Sequence, residues 1–141
     1  MRFGVVSGYV VACVMTNATF AVCLLDDYSL KAEYARSVAV VRATVVSERA
    51  VPDAAFPDSV GGVVYTVKVQ ESFRGTLHGT VEVFSENSSG RFPMTKGGAY
   101  VLFLYRASGR LSVDNCGNSG LASEKKSVLS ALRAPAPQSK R

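Results

Sequence analysis

The sequence predicts a mostly β domain, and three observations carry that prediction. Val63, Tyr65, Val67 and Val69 alternate with Val64, Thr66, Lys68 and Gln70, so one face turns to a core and the other largely to water. Val38–Val46 is rich in β-branched residues, which pack well on a pleated surface. Ala99–Tyr105 is apolar on both faces, which places it centrally in a sheet. With 48% hydrophobic and 19% charged residues among 141, the chain has the composition of one globular domain with its own core.

The elements follow in order. Asp26 or Asp27 caps a short opening helix in which Leu30, Tyr34 and Ala35 recur at helical spacing through Arg36. The strand Val38–Val46 comes next, and Ala50–Gly62, with Pro52, Pro57 and a Gly-Gly pair, reads as a loop. The alternating strand 63–70 ends before Gly75–Gly79, and Thr80–Phe84 resumes as a strand. A polar loop, Glu86–Gly98, leads to the apolar strand; Ser108-Gly109 turns the chain, and Leu111–Val113 is a short last strand before Cys116. Ser123 caps a closing helix with Val128, Leu129 and Leu132 on its apolar face, and Pro135 stops it. Five short strands flanked by helices predict a small closed β barrel, with a two-sheet sandwich as the alternative.

Residues 1–21 carry a different signal. Arg2 is the only charge before Asp26, an apolar run spans Phe3–Met15, and Thr19 and Ala21 supply the small residues of a cleavage site before Val22. These are the parts of a secretory signal peptide, and they predict a secreted or periplasmic protein. A cut after Ala18, an uncleaved or lipidated membrane anchor (Cys13 ends a loose lipobox, Val10-Val11-Ala12-Cys13) and a buried N-terminal segment are the alternatives. The folded domain is then 22–134, and 135–141 is a basic tail with nothing to bury. Cleavage removes Cys13 and leaves Cys23 and Cys116 as an even pair in an oxidising compartment, which predicts one disulfide. Loss of Arg2 takes the net charge from +5 to about +4, a mild excess that selects no partner.

The order of features resembles the netrin-like fold, and more closely the bacterial relatives of the inhibitory domain of tissue inhibitors of metalloproteinases. The stretches that carry the resemblance are Tyr34–Val46, Tyr65–Gly75, Gly98–Tyr105 and Gly109–Leu111 before Cys116. The resemblance implies a five-stranded Greek-key barrel of the oligonucleotide/oligosaccharide-binding (OB) type, with a helix at each end. The family pattern opens with Cys-x-Cys; here Ala21 stands at the first position and Cys23 at the second, and Cys116 matches the last cysteine. The middle cysteine is missing from the region Ser88–Phe92, so one whole disulfide of the pattern is absent. Animal inhibitors of the family place an N-terminal cysteine's amine on the protease zinc, and Val22 would carry that amine here.

Chemistry beyond binding finds little support in the residues. His78 is the only histidine and falls in a turn, whereas a hydrolase needs a nucleophile, a base and an orienting group together. Neither glycine pair, Gly61-Gly62 or Gly97-Gly98, sits in a phosphate-cradling pattern. Aromatic residues do not alternate clearly with Arg42, Lys68, Arg74 and Arg106 as a nucleic-acid surface would need. Asn87-Ser-Ser89 matches the N-glycosylation pattern. The expectation is a non-enzymatic protein-binding domain with no cofactor or metal and no stable membrane association once the signal is cut. Its binding segment is Val22, Cys23, Leu24 and Leu25, joined by the loops Pro52–Gly62 and Glu86–Lys96. A metalloprotease is one candidate partner; inhibition of such an enzyme and an unrecognised hydrolase site are the alternative functions.

Overall fold

A computed structural model of the protein describes residues 23, 25 and 27–135. The expected signal peptide (1–21), Val22, Leu24, Asp26 (one of the two expected caps of the opening helix) and residues 136–141 lie outside the described residues. The elements are α1 (Leu30–Arg36), β1 (Ala39–Pro52), β2 (Val60–Arg74), β3 (Thr80–Glu86), β4 (Ala99–Ala107), β5 (Arg110–Ser112), β6 (Gly120–Leu121) and α2 (Lys126–Arg133).

Strand predominates, as the alternation and the β-branched runs require. Five strands join in a ring: β1 pairs β2, β2 pairs β3, β3 pairs β5, β5 pairs β4, and β4 returns to β1. Every pairing is antiparallel except β3–β5, which rests on the single parallel pair Phe84 and Ser112 and the bond from Val113 N to Phe84 O at 3.0 Å. Register shifts interrupt β1–β2 at Val40/Val41, Arg42/Ala43, Val45/Ser47 and Val51/Pro52. Such bulges bend a strand and raise its twist, which lets these long strands curl around the ring. Beyond Val45, whose N–H and C=O reach Gly98 and Gly97, the outer edge of β1 meets no further strand among the described residues.

Two apolar clusters explain why β4 is apolar on both faces. Inside the ring, Ala39, Val41, Ala43 and Val45 of β1 meet Tyr65, Val67, Val83, Tyr100, Leu102 and Leu104. Outside it, Val40, Val101 and Phe103 are covered by Leu30 and Tyr34 of α1 and by Val128, Leu129 and Leu132 of α2. Both helices therefore lie over the β1–β4 seam. Arg133 fixes α2 there, its Nε 2.9 Å from a Glu71 carboxylate oxygen; Arg42 approaches the same carboxylate from β1 at 3.4 Å.

Several local expectations change. The cap of α1 is Ser29, whose hydroxyl accepts from Ala32 N at 3.3 Å; Asp27 instead accepts from Ser29 N at 2.7 Å, one turn-like step earlier. The expected loop 50–62 shrinks to 53–59, because β1 and β2 continue as a hairpin. Pro52 closes β1 where an N–H is dispensable, and Gly62 is needed because a Cβ there would run into the Phe84 ring. Ser123 does not cap α2: the pairing of Gly120–Leu121 with β4 and the turn from Leu121 O to Glu124 N and Lys125 N take up that stretch. The helix starts after Lys125, with no side-chain cap.

Candidate functional site

Cys23 and Cys116 form a disulfide, with Cα atoms 5.8 Å apart. Around it a polar clasp joins α1 to the segment after β5. Glu33 is buried, and one of its carboxylate oxygens accepts from Asn118 N at 2.7 Å and from Asn118 Nδ2 at 2.6 Å. The same amide group donates to Tyr28 O at 3.0 Å. Burial pushes the Glu33 carboxyl above its ordinary value, outweighing the two Asn118 hydrogen bonds and the Arg36 charge that favour the anion. Asp114 closes the turn before the disulfide by accepting from Cys116 N at 2.9 Å.

The loop 87–98 divides into two halves with different tasks. Its second half turns inward: Phe92 and Met94 are buried in the ring. Three side-chain hydroxyls hold it there, with Ser85 accepting from Phe92 N, Tyr65 from Met94 N and Tyr100 from Thr95 N. The first half, Ser88–Gly90, stays at the surface, tied by Asn115 N to Gly90 O at 2.9 Å. So of the expected binding loop Glu86–Lys96, the stretch containing Phe92 and Met94 belongs to the core and offers no exposed binding surface.

What remains exposed is a groove of about 570 Å³ between α1 and residues 86–90. Its apolar and aromatic walls are Leu25, Tyr28, Phe103, Tyr105 and the disulfide at Cys116, and Glu86 and Asp114 also line it. Leu25 is 51% exposed. Burial, followed by the negative charges of Asp114 and Glu86, pushes the Tyr105 hydroxyl up to about 12. Arg36 lies 5.2 Å over the Tyr28 ring and also lines the groove.

Of the expected binding segment, Cys23 and Leu25 lie at or beside this groove, and Val22 and Leu24 lie outside the described residues. The 53–59 tip does not line it. That tip is nevertheless ordered: Asp53 accepts from Ala55 N and Phe56 N at 2.8 and 2.9 Å, and Ser59 donates to Phe56 O, leaving Phe56 71% exposed. Asn87, the glycosylation candidate, donates its side-chain amide to Val60 O at 2.9 Å, bracing the base of the hairpin. His78 is exposed in the β2–β3 turn, its Nδ1 2.9 Å from Thr76 O. Among the described residues no three His, Cys, Asp or Glu side chains gather as a metal site, and no helix is long and apolar enough to cross a membrane.

Sequence reasoning missed Tyr28, Glu33, Tyr105, Asp114 and Asn118. The one available signal was Asp114–Asn118, a run of turn-forming residues around a cysteine. No family model matches this chain, and no curated protein matches it.

Proposed function

We propose that this is an exported, non-enzymatic domain with an OB-like closed barrel of the netrin-like type, and that it works by binding another protein. The observation that carries this reading is the disulfide-anchored groove, where the start of the mature domain meets the 86–90 loop over aromatic walls. A covalent anchor removes much of the ordering cost that a free terminal segment would bring to an interface. Phe56 supports the reading as a second contact, because an aromatic held out by a hydrogen-bonded turn loses little entropy on docking. The groove's buried carboxylate, Glu33, already serves Asn118, which suits a structural role better than an acid–base one.

The test is affinity capture from the exported fraction of the native host, using disulfide-bonded protein and the variants Leu25→Asp and Phe56→Ala. The expected outcome is a saturable protein partner that wild type retains and at least one variant loses, with both variants melting as wild type does. Zinc endopeptidases belong in the assay as purified partners, with and without one added residue before Val22. A hydrolytic activity that follows the purified protein through a broad substrate screen would overturn the reading.

A further inference from the structure

We propose that the groove between α1 and residues 86–90 receives an arginine or lysine side chain presented between apolar residues by a partner protein. This rests on the protein-binding reading and names the chemistry of the partner. Charge is the argument. The chain carries a net +5, yet the lining of this groove holds three carboxylates, Glu33, Glu86 and Asp114, against one cation. Among the described residues neither Glu86 nor Asp114 has a cation within salt-bridge distance, whereas Glu71 and Glu82 are both paired. Glu33 also lines the groove, with one carboxylate oxygen accepting from Asn118. The one lining cation, Arg36, is stacked over Tyr28.

The walls fit the same occupant. Tyr28 and Tyr105 offer ring surfaces to a cation and its aliphatic stem. Leu25, half exposed, offers a contact for an apolar neighbour. Burial is the main cause of the raised Tyr105 hydroxyl, and Asp114 and then Glu86 add to it, so this ring stands near both carboxylates. Two carboxylates without an ion pair, beside aromatic walls, favour a guanidinium, which presents several donors in one plane.

The experiment follows backbone amide shifts of the disulfide-bonded protein during titration with two capped peptides. One has an arginine between two leucines; in the other a glutamate replaces the arginine. The arginine peptide should shift the amides of Leu25, Tyr28, Gly90, Tyr105 and Cys116 saturably, and the glutamate peptide should not. The double variant Glu86→Gln, Asp114→Asn should weaken binding about tenfold, and Asn at 114 can still accept from Cys116 N. Glu124→Gln, exposed and outside the groove, should change nothing. Equal shifts from both peptides, no shift at these amides, or a double variant that binds as wild type does would each overturn the proposal.

A chain ending at Ala134 covers the other occupant. If removing residues 135–141 alone moves the same amides, the groove holds this protein's own Lys140 or Arg141, and the partner proposal fails. Capture that depends on Leu25 and Phe56 with no arginine-peptide shift sinks this inference and spares the binding function. A saturable arginine-peptide shift with no captured partner does the reverse.

Discussion

A side chain at position 117 has nowhere to go. Gly117 has φ +99°, and a Cβ built there would lie 2.5 Å from both carboxylate oxygens of Glu33. Gly117→Ala should therefore cost about 1–3 kcal/mol from backbone strain, with a further loss from the displaced Glu33–Asn118 bonds, read as a lowered urea midpoint. Glu33 itself sets a pH dependence. Its folded pKa is raised, so the folded protein holds a proton more tightly than the unfolded chain does. Its contribution is thus most favourable below the unfolded value near 4.5 and is lost as pH rises through the folded value. Glu71 works in the opposite sense: Arg133 holds its carboxyl below the ordinary value, so its contribution is present above 4.5 and lost in stronger acid. Denaturation midpoints between pH 4 and 7 should fall less steeply with rising pH in Glu33→Gln than in wild type. No periodicity marks Glu33 as buried, because its partner stands 85 positions along the chain.

At the scale of elements, the hairpin tip offers the cleanest test of local order. Asp53→Ala removes the acceptor for two backbone amides at once. The loss should be about 1 kcal/mol, concentrated at the tip, with faster hydrogen exchange at Ala55 and Phe56 and unchanged exchange in β4. The strands were legible because each alternates or is β-branched, and β4 announced its central place by being apolar on both faces. Their limits were less legible. Pro52 and Gly61-Gly62 look like breakers, yet one ends a strand where its missing N–H does no harm and the others lie within β2, where Gly62 makes room for an aromatic ring. β6 escaped notice because two residues carry no pattern. The groove was illegible for a related reason: it draws on residues 25–37, 86–90, 103–105 and 114–116, four segments that only the ring and α1 bring together.

For the whole molecule, the disulfide is the longest-range tie, spanning 93 positions. Replacing both Cys23 and Cys116 by serine should destabilise the domain by about 4–5 kcal/mol on chain-entropy grounds, measured as the difference in denaturation midpoint from the oxidised protein. The pairing was predictable on the expectation that Cys13 belongs to a signal peptide; the clasp of Glu33, Gly117 and Asn118 built around it was not. The ring's thinnest seam is β3–β5 with its single bridge, so amides there should exchange before those of β1–β4. One further consequence lies in the outer edge of β1 beyond Val45. Among the described residues no strand covers that row of backbone groups, and an uncovered edge is an invitation to another molecule's strand. Glu48, Arg49 and Pro52 stand in that stretch as sentinels: two charges and a ring without an N–H are the kinds of residue that blunt such zipping between copies.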